Sequence, residues 1–216
     1  MAWSISATAS PVHCGLGKLL TCSLRWDGQQ FVAITTDGSL NLPPDKQYPS
    51  DSYAFSTLGR TQLEWLRALP PSLELDRGIF AFHGRPDDDN AYMLENVERG
   101  RLVQASADEI RSRIHLVPAK ILLCAHSHIC RQILVDGKLV INPGSVGQPA
   151  YADPTPPTHV SESGSPFARY LIVDFDANVA RIESILVQYD HVAAAQRAVT
   201  NDSPSWAHFL RTGFAA

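Results

Sequence analysis

The chain predicts an α/β fold, a two-sheet sandwich with helices on its outside. Two apolar runs, Gly78 to Phe82 and Val117 to Leu123, read as buried strands, and each ends at a loop that carries histidine. Two strand pairs follow. Gln132 to Val135 and Lys138 to Ile141 turn at Asp136-Gly137, and Arg169 to Asp174 and Val179 to Val187 turn around Asp176-Ala177-Asn178. Helical stretches alternate with these strands and close the chain, which is the order of a layered α/β domain.

Taken in order, Leu42 to Asp45 and Tyr48 to Asp51 are loop residues. Ser56 to Leu69 reads as a helix. Its apolar stripe of Leu58, Leu63, Trp65, Leu66 and Leu69 faces the core and stops at Pro70-Pro71. Ser106 to His115 is helical, with Ser106 as N-cap and Glu109 completing a capping box, and His115 lies on its surface. Asn142-Pro143-Gly144-Ser145 makes a tight turn. Tyr151 to Pro166, rich in proline, reads as one long loop. From Asp190 the tail carries an Ala-rich helix and one containing Trp206. No internal repeat is present.

At 216 residues and 44% hydrophobic content, the chain suits one domain with a real core. A net charge of −4 gives no basic patch to hold nucleic acid by its phosphates. No apolar run reaches the roughly 18 residues a membrane-spanning helix needs, and the N-terminus lacks signal-peptide character. Cys14, Cys22, Cys124 and Cys130 show no disulfide framework spacing and suit reduced thiols in the cytoplasm.

The chemistry-bearing stretch is Ala125-His126-Ser127-His128. Two imidazoles just past a strand end sit at a sheet rim, where α/β folds place their sites. His-x-His spacing lets them face one metal or two adjacent metals, and solvated loop histidines carry the same spacing. Cys124, His126, His128 and Cys130 alternate, yet residues two apart on one strand face do not easily close a zinc tetrahedron. His83 follows a strand. It reads as a satisfied core group or as a ligand, and Gly84 with Asp87, Asp88 and Asp89 favours the ligand, unless those carboxylates are only a solvated turn.

Four stretches together resemble the calcineurin-like metallophosphoesterases, in the bacterial branch of small phosphodiesterases. They are Phe82-His83-Gly84, Ala125-His126-Ser127-His128, Asn142-Pro143-Gly144-Ser145-Val146-Gly147 and Glu162 to Tyr170. The family carries a strand ending in His-Gly, a Gly-His-Thr-His motif and the Asn-Pro-Gly-Ser-Val-Gly turn. The match runs from about Asn41 to the C-terminus. It implies a sandwich of two β-sheets flanked by helices, incomplete at its N-terminus, with His83 and His126 on one metal and His128 on the other.

Ala125 replaces the family's glycine, which is tolerable if that backbone avoids positive φ, and Ser127 replaces its threonine. Arg85 stands where the family has a small residue. It contacts a phosphate or points to solvent, and Asn142 with its turn amides faces the site or is purely structural. These two are the candidate substrate-binding residues. In a complete relative, two divalent metals (Mn, Fe, Ni or Zn) about 3.5–4 Å apart clamp a phosphate and acidify a bridging water. The hydroxide attacks phosphorus in line while a histidine protonates the leaving oxygen.

Residues 1–38 do not read like the rest, and the family's Asp-x-His, Gly-Asp and Gly-Asn-His-Asp motifs are missing, with them the bridging aspartate and the catalytic histidine. Plausible codons for Phe31 to Asp37, read from the third base of the first codon, spell Arg-Gly-Asn-His-Asp-Arg. The same shift over Ala2 to Ala9 and Ser10 to Cys14 permits the family's Gly-Asp-x-x-Ser-Gly-Pro region. Residues 1–38 are therefore expected to be an out-of-frame segment, with the true start upstream and residues 39–216 the C-terminal part of a metallophosphoesterase domain. A genuinely divergent N-terminus is the alternative. An out-of-frame segment should lack a periodic apolar face, although Leu16, Leu19 and Leu20 could collapse as a short helix.

Three functional readings follow. The first is a phosphoesterase acting on a small phosphoester or nucleotide, and the second an inactive remnant lacking the N-terminal ligands. The third is a metal-binding module using Cys124 and Cys130. The sequence leaves the oligomeric state open.

Overall fold

A computed structural model describes residues 2–7, 22–26, 30–32, 56–68, 70–75, 78–176 and 179–215. Their strands form three sheets. The first is antiparallel and runs through β14 (Val179–Val187), β13 (Ala168–Asp176), β1 (Ala2–Ala7), β2 (Cys22–Trp26) and β3 (Gln30–Val32). The second runs β4 (Ser72–Leu75), β5 (Ile79–Phe82), β8 (Ile121–Leu123), β10 (Lys138–Asn142) and β9 (Arg131–Val135). The third, which the two-sheet expectation did not include, runs β11 (Ala150–Asp153), β12 (His159–Glu162), β7 (Arg101–Gln104) and β6 (Glu95–Glu98).

In the second sheet the three inner strands β5, β8 and β10 are parallel, and both edge strands run antiparallel to them. All three inner strands therefore end on one rim. Parallel strands buried on both faces carry continuous apolar runs, which is why Gly78 to Phe82 and Val117 to Leu123 stand out in the sequence. One face of this sheet packs on the first sheet through Ile79, Ala81, Leu123, Ile141, Leu171 and Val173. The other face, with Phe82, Leu122 and Val140, meets Ile110 and Ile114 of helix α2 (Ala107–Ile114). That helix starts as read: the Ser106 side chain accepts from the Glu109 amide, and the Glu109 carboxylate accepts from the Ser106 amide, closing the capping box. Helices α3 (His191–Thr200) and α4 (Pro204–Thr212) pack on each other through Ala195, Ala198, Ala207 and Leu210. Among the described residues no helix is long and apolar enough to cross a membrane.

The first helix, α1 (Arg60–Arg67), corrects one expectation. Leu58 and Leu63 are buried, whereas Trp65 is 52% exposed. Two residues along a helix turn by about 200°, so Trp65 faces away from Leu63 and does not share its stripe. The hairpin between β9 and β10 turns as expected at Asp136 (φ 51°) and Gly137 (φ 74°), the type I′ geometry that suits strand twist. An unanticipated twin at Arg99 (φ 50°) and Gly100 (φ 76°) joins β6 to β7. The stretch from Tyr151 to Pro166, expected to be one loop, contains most of β11 and all of β12. The backbone of β1 pairs with β13 on one side and β2 on the other. The packing of side chains in residues 1–38, the expected collapse of Leu16, Leu19 and Leu20, and the loops of Leu42 to Asp51 lie outside the described residues.

A buried ion pair ties the third sheet to the second. Glu95, which starts β6 and is almost fully buried, accepts from Arg131 Nε of β9 at 2.9 Å, and Arg131 also donates to Gln104 of β7 at 2.9 Å. Desolvation pushes the Glu95 carboxyl above its ordinary range, against the pull of Arg131. A carboxyl whose folded pKa is raised binds more protons folded than unfolded, so its contribution weakens as pH rises. Replacing Arg131 with Met leaves that charge buried and unpaired. The expected cost is about 3–5 kcal/mol, larger at pH 7.5 than at pH 5.5, read as the loss of Tm in thermal melts at the two pH values. An equal loss at both would show that the pair is not desolvated.

Gly84 supplies a second check. An added Cβ there would lie 2.6 Å from the Ala91 carbonyl oxygen and closer still to that of Asp89. Gly84→Ala is expected to lower stability by about 1–3 kcal/mol, because backbone rather than a flexible side chain must move. An unchanged melting curve would mean that the loop of residues 85–92 does not close over this glycine.

Candidate metal centre

The rim formed by the ends of β5, β8 and β10 gathers the candidate residues. His83 follows β5 directly, and its carbonyl accepts from the Ala125 amide at 2.7 Å, so the two histidine loops are joined through backbone. The imidazoles of His83 and His126 meet edge-on, with His83 Nε2 and His126 Nδ1 3.2 Å apart. His126 Nε2 lies 3.1 Å from the Asn90 carbonyl. A carbonyl only accepts, so His126 carries its proton on Nε2 and His83 donates to the Nδ1 lone pair.

His128 is more deeply set. Its Nδ1–H donates to the Gln148 carbonyl at 2.8 Å, which leaves the lone pair on Nε2. That Nε2 is buried and has no hydrogen-bond partner among the described residues. Burial, with a small push from neighbouring His126 and against the Gln148 carbonyl, pushes the His128 imidazolium pKa down to about 4. The ring is therefore neutral at physiological pH, the form that binds metals.

Both loop histidines are in the left-handed region, His126 at φ 61° and His128 at φ 60°. Ala125 is not, so the backbone meets the condition under which alanine replaces glycine without strain. The strain sits instead on the two imidazole-bearing residues, where side-chain position matters most.

Asn142, at the end of β10, braces this loop. Its Nδ2 donates to the Ala125 carbonyl at 2.5 Å and to Ser127 Oγ at 3.0 Å, and its Oδ1 accepts from the Gly144 amide at 2.9 Å. The whole amide is spent inside the protein, beneath the site. Gly144, at φ 85°, completes the turn against Cys130 and Arg169. Arg85 is half-buried, and its Nε donates to the Tyr92 carbonyl at 3.0 Å.

Three residues at this rim escaped the sequence reading. The Tyr92 ring stacks on His126 with centroids 4.6 Å apart, and the Tyr151 ring meets His128 edge-on at 5.1 Å. The Tyr92 hydroxyl lies 2.9 Å from that of Tyr151 and 2.6 Å from His159 Nε2. Burial pushes both phenols well above their ordinary range. The one signal for His159 was the alternation of small polar and apolar residues over His159, Val160 and Ser161, the pattern of a half-buried strand.

The cysteines do not join the histidines. Cys124 packs in the core shared with α2, and Cys130 against the opposite core between the sheets, which corrects the reading of a Cys124/Cys130 metal module. Among the described residues no three His, Cys, Asp or Glu side chains surround a common metal position.

No family model matches this sequence, and neither does any curated protein sequence. Solved structures do match its fold. The metallophosphoesterase from Sphaerobacter thermophilus superposes with a TM-score of 0.61 at 19% identity, over 82% of this chain and 73% of that one. A hypothetical protein from Pyrococcus horikoshii OT3 superposes with a TM-score of 0.55 at 24% identity, over 76% of this chain and 59% of that one, less than two thirds of its length. With sheets flanked by helices and its histidines on the shared rim of β5 and β8, this chain has the calcineurin-like metallophosphoesterase fold.

Proposed function

We propose that this chain carries the C-terminal part of a metal-dependent phosphoesterase of the cytoplasm, which, complete with its N-terminal ligands, hydrolyses a small phosphoester or nucleotide through a water activated by two metals. His83, His126 and His128 are its metal ligands. The observation that carries this reading is His128: a buried neutral imidazole whose Nδ1–H is fixed on a backbone carbonyl and whose Nε2 has no hydrogen-bond partner among the described residues. Ligating histidines are oriented in this way by their second nitrogen. The donors suit Mn, Fe, Ni or Zn, and a bound ion would supply Lewis-acid polarisation of the phosphoryl group and an acidified water. The Gln148 carbonyl fixes the His128 tautomer, while the Asn90 carbonyl and His83 fix that of His126. Substrate contact falls to Arg85, while Asn142, expected to share it, has its side chain spent within the loop and braces the site instead.

The described residues do not complete a two-metal centre. Each catalytic metal takes about three protein ligands, and three imidazoles cannot serve two. This shortfall favours, as the second reading, a remnant that holds at most one ion; the pairing of β1 between β13 and β2 counts against an out-of-frame origin of residues 1–38.

Calorimetry with Zn²⁺ is expected to show one weak site in the purified chain, lost in His128→Ala. Undiminished binding in that variant would remove His128 from the ligand set. The chain as written is expected to hydrolyse bis(p-nitrophenyl) phosphate no faster than buffer. Restoring the alternative reading frame upstream of Asn41 should give divalent-metal-dependent turnover that His126→Ala abolishes. Strong hydrolysis by the 216-residue chain, free of contaminating phosphatase, would require ligands other than those named here.

A further inference from the structure

Two adjacent loop histidines in the left-handed region need something to hold them there, and the rim contains a group of side chains placed to do it. His159 Nδ1 lies 2.7 Å from the Pro157 carbonyl, so that nitrogen carries the proton and Nε2 accepts. Tyr92 therefore donates its hydroxyl proton to His159 Nε2 at 2.6 Å, and its oxygen accepts from the Tyr151 hydroxyl at 2.9 Å. The same Tyr151 hydroxyl lies 3.2 Å from the His126 carbonyl. Tyr151 has one hydroxyl proton, so it is shared as a three-centre bond between the Tyr92 oxygen and the His126 carbonyl, and through it the group reaches the loop that carries both histidines. The two tyrosine rings also pack on the two imidazoles, beside His83 on His126: Tyr92 lies flat on His126, with 23° between planes, and Tyr151 edge-on to His128 at 77°.

We propose that Tyr92, Tyr151 and His159 are positioning residues: a hydrogen-bonded aromatic clamp that holds His126 and His128 in their left-handed conformation and so presents the His128 Nε2 lone pair to a divalent metal. The metal part of this statement rests on the function proposed above; the clamp itself does not. Its anchor, His159, acts through Tyr92, whose hydroxyl it accepts and whose ring it meets edge-on. Released from the clamp, His126 and His128 would relax towards negative φ, which swings each Cβ and carries its imidazole away from the rim.

The test compares Tyr92→Phe, Tyr151→Phe, His159→Leu and His159→Gln with the unaltered chain. Gln places an acceptor where Nε2 stood and is the rescue variant. Imidazole ¹H–¹⁵N spectra of the metal-free protein should show His126 as one tautomer protonated on Nε2 and His128 as one protonated on Nδ1. His159→Leu and Tyr92→Phe should convert the His126 signals to averaged tautomers, Tyr151→Phe should do so at both histidines, and His159→Gln should restore the original pattern. In a parallel Zn²⁺ titration the first three variants should lose about tenfold or more in affinity, as removal of a ligand's supporting partner does, and His159→Gln should not. Melting temperatures serve as the control for a purely structural role. Lower Tm in His159→Leu with unchanged His126 and His128 spectra would overturn the proposal. If the unaltered chain takes up no Zn²⁺, the metal reading falls, and the spectra still decide the clamp.

Discussion

One buried amide holds the rim together. Asn142 reaches from the end of β10 to the loop after β8, donating to the Ala125 carbonyl and to Ser127 Oγ while its own oxygen caps Gly144. The two strands it joins are parallel neighbours, so their ends lie side by side without any help from loops. What the amide adds is the path of the chain beyond those ends. Residues 125–128 form no ladder, and the Ser127 amide turns back to the Ala125 carbonyl at 2.7 Å. A backbone so tight would leave carbonyls without partners, and a buried carbonyl without a partner costs about 1–3 kcal/mol. The Tyr151 hydroxyl takes that of His126 and the Ser161 hydroxyl that of Ser127, while Asn142 adds a second donor to the Ala125 carbonyl.

The two positive φ angles follow from that constraint. A left-handed residue other than glycine costs roughly 1–2 kcal/mol, so the pair costs several kcal/mol at most. Three side-chain hydrogen bonds of about 1 kcal/mol each, with two aromatic contacts of about 0.5–1.5 kcal/mol, offset it. The balance is local. It also explains why alanine stands where the resembled family has glycine: the strain that glycine would relieve is carried one and three residues further on.

Much of this was legible in the sequence, and the rest was hidden for definite reasons. Buried parallel strands write themselves as unbroken apolar runs, and a capping box or an Asp-Gly turn is written in two to four residues. Hence β5, β8, the start of α2 and the β9–β10 turn were readable. The third sheet was not. Its β6 and β7 are half-buried and carry Glu95, Glu98 and Arg101, so they show neither an apolar run nor clean alternation. Its β11 and β12 lie among prolines that mark loop. Trp65 misled because hydrophobicity was allowed to outweigh its angular position on α1. The common rim of His83, His126 and His128 was legible because they follow strands. Tyr92, Tyr151 and His159 were missed because their role depends on three segments meeting, and no local pattern encodes that.

The forces that shape this rim belong to protein alone. His83, His126 and His128 are placed by strand ends, by Asn142, by carbonyls of Asn90 and Gln148, and by two tyrosine rings. A site that forms only around its ion leaves its ligands unstructured without it, and its binding energy is then folding energy. Here the imidazoles take their tautomers from protein carbonyls and from one another, while the hydrophobic layers on both sides of the second sheet lie outside the loop. The rim can keep its shape even where its ligand set falls short of two metals, which is the condition under which a catalytic domain could lose its chemistry and still persist as a folded protein.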